Sequence, residues 1–170
     1  MQARRAGEGS LVTLLSVLVA FAFVQILLGA LVAGIDGGRG FPNWPLMVTG
    51  AGASFLPPDP FTITPLWRNF FEDVGLVQFI HRTSAYLLFG FGVFVWWRGR
   101  ASANSLTRFS INAVLAVMTL QMVIGIVTVL YNADVKFAIT HQFTAVVLWV
   151  LILRARYLAR YPIAQSIRGT

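Results

Sequence analysis

Only two histidines occur in the 170-residue chain, His81 and His141, and each falls about one turn inside the start of a strongly apolar stretch. Stretches of that length and composition read as membrane-crossing helices. Both are expected to run inward from the same side, which places the two imidazoles at one depth. At a rise of about 1.5 Å per residue, a histidine four positions inside its helix lies about 6 Å below the helix start. Two imidazoles facing each other at matched depth suit the axial positions of an iron porphyrin, one above its plane and one below. The chemistry predicted from these residues is haem ligation.

Their neighbours repeat. Gln25 and Gly29 lie in the first apolar stretch, and Gln121 and Gly125 stand at the same spacing in the third. The second and fourth share a histidine followed three and four residues later by Ser84 and Ala85 or by Thr144 and Ala145. Ala85 and Ala145 fall on the histidine face one turn deeper, where a small side chain leaves room for a flat macrocycle. Gly29 and Gly125 are expected to open corresponding space, and Gln25 and Gln121 to hydrogen-bond between helices. Plain helix packing through small residues is the competing reading of the glycines, and interhelical hydrogen bonding that of a single histidine. Matched depth and repeated context favour a shared ligand pair. A zinc or non-haem iron site would need further protein ligands, often carboxylates, and the acidic residues lie in loops or near the termini. Arg82, with Arg68 or Lys136, is a candidate partner for haem propionates; Arg82 snorkelling to lipid headgroups is the alternative.

The elements that must position these residues are legible from composition. With 57% hydrophobic and 11% charged residues and a mean hydropathy of +0.74, the chain reads as an all-α integral membrane protein. Four spans are predicted, at about 11–33, 77–97, 109–131 and 137–153, in one domain covering 1–170. The first follows Arg4 and Arg5 as a signal peptide would, but its apolar run exceeds the ~7–15 residues of a cleavable core, so it is read as a retained helix. The fold expected is a four-helix bundle of two tandem hairpins, related by a pseudo-twofold axis along the membrane normal. Without cysteine, disulfides, thiolate ligands and covalent haem attachment are excluded.

The outer loop, 34–76, holds most of the prolines and glycines, but Trp44, Phe55, Trp67, Phe70 and Phe71 give it the aromatic content of a partly ordered segment. Residues 65–74 are predicted as a short interfacial helix. A net charge of +7 comes from arginines that cluster on one side of the predicted topology: Arg4, Arg5, Arg98, Arg100, Arg108, and those at 154, 156, 160 and 168. That pattern places both termini on the cytoplasmic or matrix side of a bacterial plasma membrane or a mitochondrial inner membrane. It argues for a basic surface facing anionic lipid and against nucleic acid.

Five stretches carry a family resemblance: Gln25-Ile-Leu-Leu-Gly-Ala-Leu-Val-Ala-Gly34, Asn43-Trp44-Pro45-Leu46-Met47, Trp67-Arg-Asn-Phe-Phe71, Gln78-Phe-Ile-His-Arg82 and Thr140-His-Gln142. Together they resemble haem A synthase of the mitochondrial and alphaproteobacterial type, in its C-terminal half, over nearly the whole chain. The resemblance implies an eight-helix enzyme made of two four-helix halves, which oxidises a methyl group of haem O to the formyl group of haem A for terminal oxidases. It implies that His81 and His141 ligate a resident haem b, while the other half receives haem O. In that other half a glutamate precedes the first histidine by three residues; here the place is taken by Gln78, which cannot serve as a general acid or base. No catalytic residue is therefore assigned to this chain, and a second four-helix half or a homo-oligomer is the implied partner. The chain is expected to be a truncated product, a separately encoded half or a half-sized homodimer, and Met1 with the polar stretch after it fits an independent start. A stand-alone b-type cytochrome and a non-catalytic assembly subunit are the alternatives.

Overall fold

The computed structural model describes residues 8–162, and among these the fold is all-helical. Its α-helices are α1 (Gly9–Gly34), the four-residue α2 (Asn69–Glu72), α3 (Val74–Gly99), α4 (Ser105–Leu130) and α5 (Val135–Arg160). Three of them, α1, α4 and α5, are long and apolar enough to cross a membrane. The fourth long helix, α3, matches them at 26 residues but carries Gln78, His81, Arg82, Thr83 and Ser84 in its first half, which lowers its hydropathy. Arg4, Arg5 and Arg168 lie outside the described residues.

Three helices begin on side-chain caps, earlier than the apolar pattern predicts. Asp73 Oδ1 accepts from Leu76 N at 2.7 Å, Asn104 Oδ1 accepts from Leu106 N and Thr107 N at 3.0 and 3.1 Å, and Asp134 Oδ1 accepts from Lys136 N at 3.0 Å. Each satisfies N–H groups that a helix start leaves without partners. The last helix is not the short one of the sequence reading but has 26 residues. The histidines accordingly stand seven and six residues below Val74 and Val135, about 10 and 9 Å down their axes rather than 6 Å.

The long helices pack as neighbours in the pairs α1 with α3, α1 with α5, α3 with α4, and α4 with α5, whereas α3 and α5 share no comparable interface. At one end Glu8 N donates to Ala159 O at 3.2 Å, and Ser102 Oγ donates to Glu8 Oε1 at 2.6 Å. The start of α1, the α3–α4 turn and the end of α5 thus meet there. At the other end Gly38, just past α1, lies against Ala133 in the α4–α5 turn. The packed core, which includes Leu15, Leu18, Val95, Ile111 and Ile152, fills the first of these ends. Gly92 and Gly99 admit Met118 and Ile111 of α4 against the α3 backbone, the close approach that small residues give helices in lipid. Beyond Ala22, beyond Met118 and before Leu148, no residue of α1, α4 or α5 is buried. At the end that carries both histidines, burial is confined to α3, at Gly75, Leu76, Val77, Gln78 and Arg82, and to the outer segment over it.

The segment between α1 and α3 is ordered, as its aromatic content predicts. Asn69, fully buried, donates to Ile63 O and Leu66 O and accepts from Ile63 N. The predicted interfacial helix is a 3-10 turn, Leu66–Arg68, running into α2 and stopping at Asp73. There Arg68 Nε donates to Glu72 Oε1 at 2.8 Å. That hydrogen bond holds the Glu72 carboxyl below its ordinary range. The pair is exposed and adds little stability.

Candidate functional site

Each histidine is held by the helix that precedes its own. Gln25 Nε2 on α1 donates to His81 O at 3.0 Å and lies 3.0 Å from His81 Nδ1. Gln121 Nε2 on α4 donates to His141 O at 3.0 Å and lies 3.4 Å from His141 Nε2. One amide nitrogen facing a carbonyl and a ring nitrogen gives a hydrogen to each, so the ring atom is the acceptor. A Cβ added at Gly29 would meet His81 Cε1 at 3.1 Å, and one at Gly125 would meet His141 Cε1 at 2.8 Å. The glycines therefore make room for the imidazoles themselves, and the space before them is not left open for a macrocycle. Both rings are half-buried. Ala85 and Ala145 follow one turn deeper, both half-buried.

The two copies differ in their next partner. Ser84 Oγ donates to Gln25 Oε1, whereas Thr144, its counterpart, donates to Thr140 O of its own helix at 2.8 Å. Gln121 Oε1 and His141 Nδ1 are buried without a partner among the described residues. Ser84 stands in the repeated motif, but its role as partner of Gln25 depends on the rotation of α3 against α1, which no motif records.

Arg82 does not snorkel. It is buried, with its guanidinium donating to Asn43 O at 3.0 Å and to Pro45 O and Leu46 O at 3.4 Å. One turn above, Gln78 Nε2 donates to Phe41 O at 3.1 Å; one turn below, Tyr86 Oη accepts from Trp44 Nε1 at 2.9 Å. Gln78, Arg82 and Tyr86 form one stripe along α3 that straps the outer segment down, while His81 and Ala85 lie on the neighbouring stripe. Of the other predicted propionate partners, Arg68 is paired with Glu72 and Lys136 is exposed. Among the described residues no group of three or more histidine, cysteine or carboxylate side chains is placed to hold a metal ion.

Three helices long and apolar enough to cross a membrane fit an integral membrane protein, in which the set of glutamine, glycine and histidine occurs twice. Residues 1–153 match the family described as cytochrome oxidase assembly protein, and the chain belongs to that family. It is 60% identical over 169 residues to the heme A synthase of Ruegeria sp. (strain TM1040), covering 99% of this chain and 43% of that protein. It is 57% identical to the heme A synthase of Roseobacter denitrificans (strain ATCC 33942 / OCh 114), covering 100% of this chain and 44% of that one. With the heme A synthase of Paracoccus denitrificans (strain Pd 1222) the identity is 48%, again over 100% of this chain and 44% of the relative. The chain thus spans less than half the length of these curated relatives. No solved structure matches it.

Proposed function

We propose that this chain is the haem-b-binding half of a haem A synthase-like membrane oxidoreductase that converts haem O to haem A for terminal oxidase biogenesis. In this reading α3 is a fourth span, the four long helices form a bundle of two hairpins, and both termini face the cytoplasmic or matrix side. The observation that carries it is the pair of glutamine-held histidines at near-equal depth, on α3 and α5, which share no interface comparable to those between their neighbours.

The residues fit a bis-histidine haem. Two imidazoles are the donor set, glycine backs each ring, and His141 Nδ1 and Gln121 Oε1 are buried polar atoms still lacking partners. When bound, such a haem supplies reversible one-electron transfer. The protein's part is to fix the ligands and their surroundings. Gln25 and Gln121 hold the two histidines through their backbone carbonyls; toward a ring that held iron, the amide would turn Oε1 to accept the ring N–H. Arg82, buried with its guanidinium on carbonyls of the outer segment, is the proposed partner of a propionate. Gln78 holds Phe41 O and moves no proton.

Purified in mild detergent, the protein should show a low-spin b-type spectrum that is lost, or turned high-spin, in His81→Ala and in His141→Ala. Gln78→Ala should largely spare it. An unchanged low-spin band in both histidine variants would refute the assignment. Co-expression with a second half carrying Glu-x-x-His should yield haem A from haem O. If a soundly folded pair yields none, the chain is a b-type electron carrier. That second reading draws on Gln78, whose amide is committed to the outer segment, and on His81 and His141, which by both holding an iron would leave it no place for oxygen or substrate.

A further inference from the structure

We infer that the end of α3 remote from the histidines carries a site for one anionic glycerophospholipid, its phosphate among Trp97, Arg98 and Arg100 and an acyl chain along the helix over Gly90. The inference rests on the reading of α3 as a span and is independent of haem. A cleft of about 370 Å³ opens there, lined by Trp97, Arg98, Arg100 and Ala101. Arg100 has a fixed platform. Its guanidinium carbon lies 5.5 Å from the centre of the Trp96 ring, within cation–π range, and Trp96 Nε1 donates to Asn112 Oδ1 of α4 at 2.9 Å.

Charge at this end is unbalanced. Both ion pairs among the described residues, Arg39 with Asp36 and Arg68 with Glu72, precede α3 and lie toward the opposite end. Of the six acidic side chains in the sequence, Glu8 is the one that comes here, and its Oε1 accepts from Ser102 Oγ at 2.6 Å. Among the described residues Arg98 and Arg100 have no carboxylate partner and Trp97 Nε1 has no acceptor. A phosphodiester supplies the missing anion and takes several N–H donors at once.

The helix below the cleft is shaped for the rest of the molecule. Leu87, Gly90, Phe94 and Trp97 fall on one face of α3. Leu87, Phe94 and Trp97 are exposed, the last two with ring centres 6.2 Å apart. Nothing lies within 4 Å of a Cβ built at Gly90, so the face has a notch between Leu87 and Phe94. A basic cleft at the end of an apolar track fits an amphiphile with an anionic head. Free phosphate would use the cleft alone, and a diffuse basic surface would draw anionic lipid to every arginine alike.

The test is native mass spectrometry of the full chain in neutral detergent, titrated with dioleoyl phosphatidylglycerol, with dioleoyl phosphatidylcholine, or with inorganic phosphate. Wild type should bind one phosphatidylglycerol about ten-fold more tightly than phosphatidylcholine. Arg98→Gln and Arg100→Gln should each weaken phosphatidylglycerol about five-fold, the share of one arginine near an anionic headgroup. Arg154→Gln removes an exposed arginine of the same end outside the cleft and should change the affinity by less than about two-fold. Gly90→Leu fills the notch without altering charge and should weaken phosphatidylglycerol about three-fold, the loss of a few methylene contacts. Equal affinity for the two lipids overturns the inference. So does equal weakening by all three arginine variants, which is diffuse surface charge, or indifference to Gly90→Leu with displacement by inorganic phosphate, which is a free-phosphate site. The span reading is checked separately. The chain has no cysteine, so Gly90→Cys provides a single thiol, shielded from a membrane-impermeant maleimide in vesicles when α3 spans. Ready labelling overturns the span and the site together; shielding without lipid selectivity overturns the site alone.

Discussion

Gly125 and Gly29 are where the site has least tolerance, because an imidazole edge occupies the place a side chain would take. A methyl group at 125 would stand 2.8 Å from His141 Cε1 and one at 29 would stand 3.1 Å from His81 Cε1. Overpacking of that kind costs about 1–3 kcal/mol, so Gly125→Ala should displace its ring and lose more low-spin haem than Gly29→Ala. Full retention of the spectrum in both variants would show that the rings sit elsewhere. Gln78 has a comparable constraint of another kind: its amide donates to Phe41 O, and a carboxylate has no hydrogen to give. Gln78→Glu should therefore loosen the outer segment, read as faster proteolytic cleavage within 41–57, without adding acid chemistry. The histidines and glutamines could be read from sequence because their spacing repeats. The glycines were visible too, but what fills the space before them depends on how one helix is turned against the next, and spacing carries no such information.

The helix starts make a similar point about segments. Hydropathy marks where a chain becomes apolar, whereas a helix begins where its first N–H groups find acceptors, so α3 and α5 open at Asp73 and Asp134 ahead of their apolar runs. The far end of α5 continues to Arg160 although its last turns are rich in arginine, since long cationic side chains reach water while their stems stay against the helix. Arg156 instead turns inward, its Nε donating to Ser16 Oγ of α1 at 2.7 Å. Among the caps, Asn104 is the most strongly embedded. It accepts from two backbone N–H groups, is buried, and adjoins Ser102, which holds Glu8. Asn104→Ala should cost about 1–2 kcal/mol and Asp134→Ala about 0.5–1 kcal/mol, within the range for lost helix caps, measured by thermal unfolding in detergent. Equal losses would mean that burial of the cap adds nothing to its hydrogen bonds.

The distribution of packing over the protein ties its stability to its function. Leu15, Leu18, Ile111 and Ile152 close one end of the helices, and toward the opposite end, with Gln25, His81, Gln121 and His141, α1, α4 and α5 bury no residue. A well-packed end keeps the fold when the other is empty, and an under-packed end gains most from a ligand. Binding only to the folded state stabilises it by about 2.7 kcal/mol when free ligand exceeds its Kd a hundred-fold. Haem loading should therefore raise the unfolding temperature, and that gain should vanish in His81→Ala, which removes one of the two proposed haem ligands. Ile152→Ala, which opens a cavity at the far end at a cost of about 2–5 kcal/mol, should lower the haem-loaded and haem-free transitions alike and leave the gain intact. If Ile152→Ala instead erased the haem-dependent gain, the two ends would be coupled, and the picture of a self-sufficient core carrying a separable cofactor end would fail.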